Sequence, residues 1–313
     1  TPRDNFRPLL NQLLIAALLV SFLSGCAPTE TPPSTGVVAP IPEDALVVDF
    51  PDGEFGANIV ETLPGDLATV NPLVNESMAG SAVIGRILEG LTTLDPNTGE
   101  VIPNLAKSWE ISEDDLQYTF HLRRGIHWSD GHPFTADDVL FTWGCFFAKQ
   151  IDPDSGEPLL DENGHVKYRY NSRSTFGQLI NGQEPLVEKL DDYTVRFTTP
   201  EVYAPFLLFG GGVEVLPKHV LQASFDDGTL MDQWSVETAI NEPWQIVGLN
   251  MFVLESYRPG ERIVFAKNSN YWKVNLKGER LPYVERIIVK IVQDQNSSNV
   301  AFAQGLTDFE SIA

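Results

Sequence analysis

Three stretches of this sequence predict an α/β protein. Leu116 to Arg123 alternates apolar Leu116, Tyr118, Phe120 and Leu122 with polar Gln117, Thr119, His121 and Arg123, the period of a half-buried strand. Thr135 is followed three residues later by Asp138, an N-cap with an acidic partner, and opens a helix carrying Val139, Leu140, Trp143, Phe146 and Phe147. Ile287 to Val292, IIVKIV, is an almost unbroken β-branched run, as expected for a strand covered on both faces. Strands and helices are interleaved along the chain, which points to a layered lobe with one mixed architecture.

The remaining elements follow in order. Arg3 and Arg7 precede an apolar run from Leu9 to Leu23, which ends in Ser24, Gly25 and Cys26. A charged start, an apolar core of about fifteen residues and small residues before a cysteine make 1–25 a lipoprotein signal peptide. That core is short of the ~20 residues a permanent span needs. Cys26 is then the lipid attachment site. Residues 26–56, rich in Pro, Thr and Ser without apolar periodicity, are expected to form a flexible tether. From Ala57, ANIVETLPGD reads as a first strand closed by a Pro-Gly turn, and Ser77 to Leu91 has helical spacing. Residues 151–173 are polar and punctuated by Gly156, Asn163 and Gly164, an exposed insertion with its own hairpin. Tyr193 to Thr198 is a second alternating strand, Gly210 to Gly212 a permissive loop, and Pro217 to Leu221 the start of a short helix.

Composition narrows the function classes. Lys plus Arg number 21 against 43 acidic residues in 313, a net charge of −22. Nucleic acid and anionic membrane surfaces are poor partners for such a field. With Cys26 committed to lipid, Cys145 has no disulfide partner, and its place in an apolar helix predicts a buried, inert thiol. Asp152, Asp154, Gly156 and Asp161 superficially suggest a calcium loop. The sixth and twelfth positions of that loop are Glu157 and Asn163 where Gly and Glu are required. The five histidines lack paired ligand spacing, and no nucleophile elbow, phosphate loop or dinucleotide loop is present. No metal, cofactor or catalytic residue is expected. The carboxylate doublets at Asp114/Asp115, Asp137/Asp138, Asp191/Asp192 and Asp226/Asp227 fall at turns or a helix start, where local hydrogen bonding favours Asp.

The block Pro103 to Trp143, PNLAKSWEISEDDLQYTFHLRRGIHWSDGHPFTADDVLFTW, resembles the signature of the extracellular solute-binding proteins of family 5, which feed ABC importers. Asn71-Pro72-Leu73, the stretch Leu88 to Glu100, Tyr257 to Trp272 with its Asn-x-x-Tyr-Trp turn, and Gln304 to Glu310 are similar to further family segments in the family's order. One departure stands out: Gly248-Leu249-Asn250-Met251-Phe252 replaces the family's Gly-Thr-Gly-Pro-Phe.

The resemblance implies a two-lobed, class II periplasmic-binding-protein-like fold. Residues 57–307 would form lobe one, 308–313 would begin the crossover, and lobe two would be missing from a truncated chain. It places ligand contacts at Asn75, Glu76 and Ser77 and, in the crossover Phe309 to Ile312, at Phe309, Glu310 and Ser311. It implies a monomeric, extracytoplasmic lipoprotein, anchored to the cell membrane by lipid, that delivers peptides to an ABC permease. The same scaffold could instead hold an oligosaccharide, a nickel complex or another small solute. Trp128, Trp143, Trp234, Trp244 and Trp272 are candidates to stack on sugar, although such residues more often fill a core. An extracellular hydrolase and a purely structural lipoprotein are more distant alternatives.

Overall fold

In the computed structural model, residues 38–49, 53–170 and 177–309 are described. The stretch 1–25 read as a signal peptide, Cys26, Glu310, Ser311 and the end of the polar insertion lie outside the described residues.

Two four-stranded sheets organise the described residues. The first has the order β2(Ala57–Pro64), β12(Val284–Val292), β10(Arg262–Lys267), β9(Phe252–Arg258). β2 and β12 are parallel, with Val60 opposite Ile288, whereas β12–β10 and β10–β9 are antiparallel. The second sheet is wholly antiparallel, β5(Ala106–Ile111), β6(Gln117–Leu122), β8(Thr194–Thr198), β7(Leu186–Asp191). Two short pairs complete the strands among the described residues: β3(Thr92–Leu94) with β4(Val101–Pro103), and β1(Leu46–Val47) in parallel with β11(Lys273–Val274).

The alternation of β6 and β8 works as the sequence predicts. Tyr118, Phe120 and Leu122 from β6 and Val195 and Phe197 from β8 are buried on one face. Against that face pack α2(Ala136–Phe146) and the single turn α3(Phe206–Phe209). Phe197 is the hub, with ring centroids 5.1 Å from Trp143, 5.3 Å from Phe206 and 5.6 Å from Phe120. Thr135 and Asp138 form a full capping box at the start of α2. The Asp138 carboxylate also accepts from the backbone N–H of Lys218, 3.0 Å away, tying α2 to α4(Lys218–Asp227). Burial pushes the Asp138 carboxyl up from its ordinary value, against these N–H donors, which favour the charged form. Burial likewise pushes up the Cys145 thiol on the same helix.

Two local expectations meet a different structure, and a third, left between alternatives, is narrowed. Residues 38–49 lie within the stretch read as a tether, yet they run along the lobe. Ala39 N donates to Asn270 Oδ1 at 2.9 Å, Arg123 Nη1 donates to the Asp44 carbonyl at 3.0 Å, and Lys107 pairs with the Asp44 carboxylate at 3.1 Å. Proline-rich backbone has few donors of its own, so partners distant in sequence hold it. β12 is interior in its sheet, but only Val289 is fully buried and its other apolar side chains are half-buried. Hydrogen bonding on both edges did not bring cover on both faces. Trp128, Trp143, Trp234 and Trp272 are core residues, which leaves Trp244, 49% exposed, as the one of the five able to meet a sugar from solvent.

The polar stretch 151–170 folds back on itself through bridges pairing Ile151 with Pro158 and Leu160 with Val166. Its aspartates serve local turns: Asp152 Oδ1 accepts from the N–H groups of Asp154 and Ser155, and Asp161 Oδ1 from those of Asn163 and His165. Among the described residues no group of three or more His, Cys, Asp or Glu side chains is placed to hold a metal, and no helix is long and apolar enough to cross a membrane.

Candidate functional site

In open sheets with parallel strands, ligands meet the loops beyond the carboxyl ends of those strands. Here the parallel pair is β2 and β12. β2 runs into the loop 65–77, and β12 runs into Asp294, the N-cap of the helix Gln295–Ala303. The loop after β2 is braced from two sides. Asp66 accepts from Tyr257 Oη and, at 2.7 Å, from Gly260 N, while Asn71 Nδ2 donates to the carbonyls of Leu230 and Gln233. Asn71 Oδ1 accepts from Leu73 N at 3.0 Å, which fixes the Asn-Pro-Leu turn from within.

The turn delivers the chain to α1(Met78–Ile87). Ser77 is its N-cap, with Oγ accepting from Gly80 N at 2.9 Å. Asn75 closes the cap from outside. Its Oδ1 accepts from Ser77 N and Ser77 Oγ, and its Nδ2 donates to the Ser77 carbonyl and Ser81 Oγ. Gly80 leaves room for this arrangement, because a Cβ there would lie 2.0 Å from Asn75 Oδ1 and displace it. Of the predicted trio, Asn75 and Ser77 therefore direct their polar atoms into the cap. Glu76 and the neighbouring Met78, 79% exposed, are turned outward. The helix N-terminus favours the negative charge of Glu76.

Phe309 stands elsewhere on the first sheet. Asp308 N donates to the Val60 carbonyl and Asp308 Oδ2 accepts from Val60 N, both at 2.7 Å, so this segment covers the free edge of β2 near its middle. Phe309 is 57% exposed there. No hydrogen bond or ion pair among the described residues joins Phe309 to Asn75, Glu76 or Ser77. The nearest link is the ion pair of Glu61, next to Val60, with Arg86 in the last turn of α1. Ser77 and Arg86 are separated by about 14 Å of helix axis. Burial raises the Glu61 carboxyl and Arg86 opposes it.

The far end of α1 holds features that sequence reading missed. The loop that departs from the family pattern caps it. Leu249 N and Asn250 N both donate to the Ile87 carbonyl, and Asn250 Nδ2 donates to the carbonyls of Gly85 and Leu88. These acceptors would otherwise be orphaned at a helix C-terminus. Gly248 allows the approach, since a Cβ there would lie 2.2 Å from the Ile87 carbonyl oxygen. Next along, Glu89 is 7% exposed and accepts from Tyr271 Oη at 3.2 Å, Trp272 Nε1 at 3.0 Å and Lys273 Nζ at 3.0 Å. Lys273 lies over the Trp272 ring at 4.8 Å. Burial, with the Glu89 charge adding to it, pushes the Tyr271 hydroxyl well above its ordinary value. The available signal was an acid at the apolar end of a helix and a distant Tyr-Trp-Lys run, two halves that only the fold joins.

Comparison with known proteins agrees with this architecture. The model for the bacterial extracellular solute-binding proteins, family 5 Middle, matches residues 100–312. The periplasmic alpha-galactoside-binding protein of Rhizobium meliloti is 34% identical over 197 residues, 61% of this chain and 26% of that protein. The periplasmic oligopeptide-binding protein OppA of Escherichia coli is 26% identical over 239 residues, 73% of this chain and 39% of that protein. Among solved structures, the periplasmic binding protein MelB of Agrobacterium fabrum in complex with stachyose superposes with a TM-score of 0.64 at 27% identity, covering 87% of this chain and 40% of that one. The chain thus spans well under half the length of these relatives. With the family model matching more than half of the chain, the chain belongs to the bacterial extracellular solute-binding proteins, family 5.

Proposed function

We propose that this chain supplies lobe one, residues 57–307, of a two-lobed solute-binding lipoprotein that serves an ABC importer outside the cytoplasmic membrane. Ligand bridges the lobes, stabilises the closed form, and the closed form docks on the permease. Cys26 carries the lipid anchor, and 1–25 is the signal peptide. The protein works as a monomer, without a cofactor, and leaves its ligand chemically unchanged. Binding is the activity named for its relatives.

The observation that carries this reading is the cap at α1. Asn75 and Ser77 spend their polar groups on one another and on the helix, and leave Glu76 and Met78 exposed beyond the carboxyl end of β2. A carboxylate beside an exposed thioether suits a ligand with a positive group and an apolar side chain, as short peptides have. Phe309, Glu310 and Ser311 form the second contact, and a peptide held through its backbone explains tolerance of many side chains.

An oligosaccharide is the second reading. It is favoured by the 34% identity to an alpha-galactoside-binding protein and the superposition on a stachyose complex. Native mass spectrometry of the gently purified intact gene product, followed by denaturation, separates the two. A heterogeneous set of short, uncleaved peptides is expected. A single sugar would move the specificity to the second reading, and hydrolysed fragments accumulating with time would overturn binding without chemistry.

A further inference from the structure

A second concavity lies at the opposite end of α1 from Ser77. It is a cleft of about 340 Å³ whose lining includes Glu89, Thr92, Asn104, Glu214, Asn250 and Lys273. Its size falls within the ~300–1,000 Å³ of small-molecule sites. Most of its polar groups are already committed. Lys273 is paired with Glu89, Asn250 caps α1, and Thr92 Oγ1 donates to the Leu207 carbonyl at 2.6 Å.

Two acceptors remain. Asn104 is 2% exposed; its Nδ2 donates to the Gly90 carbonyl at 3.0 Å, and its buried Oδ1 has no partner. Glu214 has no ion-pair partner among the described residues, and burial raises its carboxyl above the ordinary value. The backbone of Glu89 and Gly90 brings the two together, because the Glu89 carbonyl accepts from Val215 N and the Gly90 carbonyl from Asn104 Nδ2. Asn104 and the loop bearing Glu214 thus approach the same dipeptide.

A buried acceptor without a donor, beside a half-buried carboxylate without a cation, costs stability in the empty protein. Glu89 and Lys273 cancel, so Glu214 leaves the lining with one net negative charge. A single positive charge carrying several N–H donors satisfies both groups at once. We propose that this cleft binds the ammonium group of a small primary amine, with its charge against Glu214 and one N–H donated to Asn104 Oδ1. This site is separate from the ligand contact at Glu76, and either can fail without the other.

The test is a titration of the isotope-labelled intact protein with propylammonium chloride, followed by amide NMR. Saturable shifts are expected at Gly90, Thr92 and Gly212, with affinity at least tenfold weaker in Glu214→Gln. Propan-1-ol and sodium chloride at matched concentrations should produce no saturable shifts at those amides. This arm keeps the test decisive even where the Glu214→Gln variant does not fold. Absence of saturation, equal affinity in Glu214→Gln, or the same response to propanol or sodium would each overturn the proposal.

Discussion

Replacing Glu89 with Gln should destabilise the chain by about 2–3 kcal/mol, near the lower end of the ~3–5 kcal/mol seen when one partner of a buried ion pair is removed. The carboxylate accepts from three side chains, one of them an ammonium. Gln keeps the volume but offers one acceptor oxygen and brings an NH2 that faces other donors. Lys273 is then left without its counter-charge at 15% side-chain exposure. That residual access to water is why the expected cost falls below the full range for a sealed pair. Urea unfolding followed by tryptophan emission is a direct assay, because the Trp272 indole donates to the same carboxylate. In a double-mutant cycle with Lys273→Met, the coupling should be about 1–2 kcal/mol. A single variant within ~0.5 kcal/mol of the parent, or additive effects, would show that the cluster is no more than surface-like pairing.

Three further outcomes are expected. Gly248→Ala should cost about 2–3 kcal/mol in the same unfolding assay, because the added Cβ forces the loop off the Ile87 carbonyl and uncaps α1; an unchanged midpoint would contradict the capping role. Glu76→Gln should weaken binding of cationic peptides about tenfold by calorimetry on the intact protein, a loss of ~1.4 kcal/mol, and lower stability by no more than about 0.3–1 kcal/mol, the loss of its charge at the helix N-terminus, because the side chain is exposed and outside the cap. Equal affinity would remove Glu76 from the site. Cys26→Ser should release the protein from the detergent phase in a partition assay; retention there would refute lipid attachment at Cys26.

Features encoded within a few residues were legible in the sequence. The period-2 alternation of β6 and β8 and the Thr135/Asp138 box depend on neighbours one to four positions away, and they appear in the structure with the predicted faces and cap. Features built from distant partners were not. Asn250 caps carbonyls some 160 positions earlier in the chain, and Ala39 is held by Asn270, 231 positions later. No local pattern announces either. The candidate site divides the same way. The Asn-Pro-Leu turn and Ser77 cap follow from short-range chemistry, but which of Asn75, Glu76 and Ser77 remains free for a ligand depended on hydrogen bonds only the fold reveals. The β-branched run of β12 misled about burial because it reports strand propensity and an interior position in the sheet, whereas cover on the faces depends on what packs there.

Hydrogen exchange of the intact protein with and without its captured ligand tests the central claim most directly. Slowed exchange is predicted at the amides of Glu76 to Gly80 and around Asp308 to Ser311, with none across the hairpin at 151–170. Unchanged exchange at both segments with a saturating ligand bound, or protection confined to other surfaces, would contradict a ligand site at the α1 N-terminus.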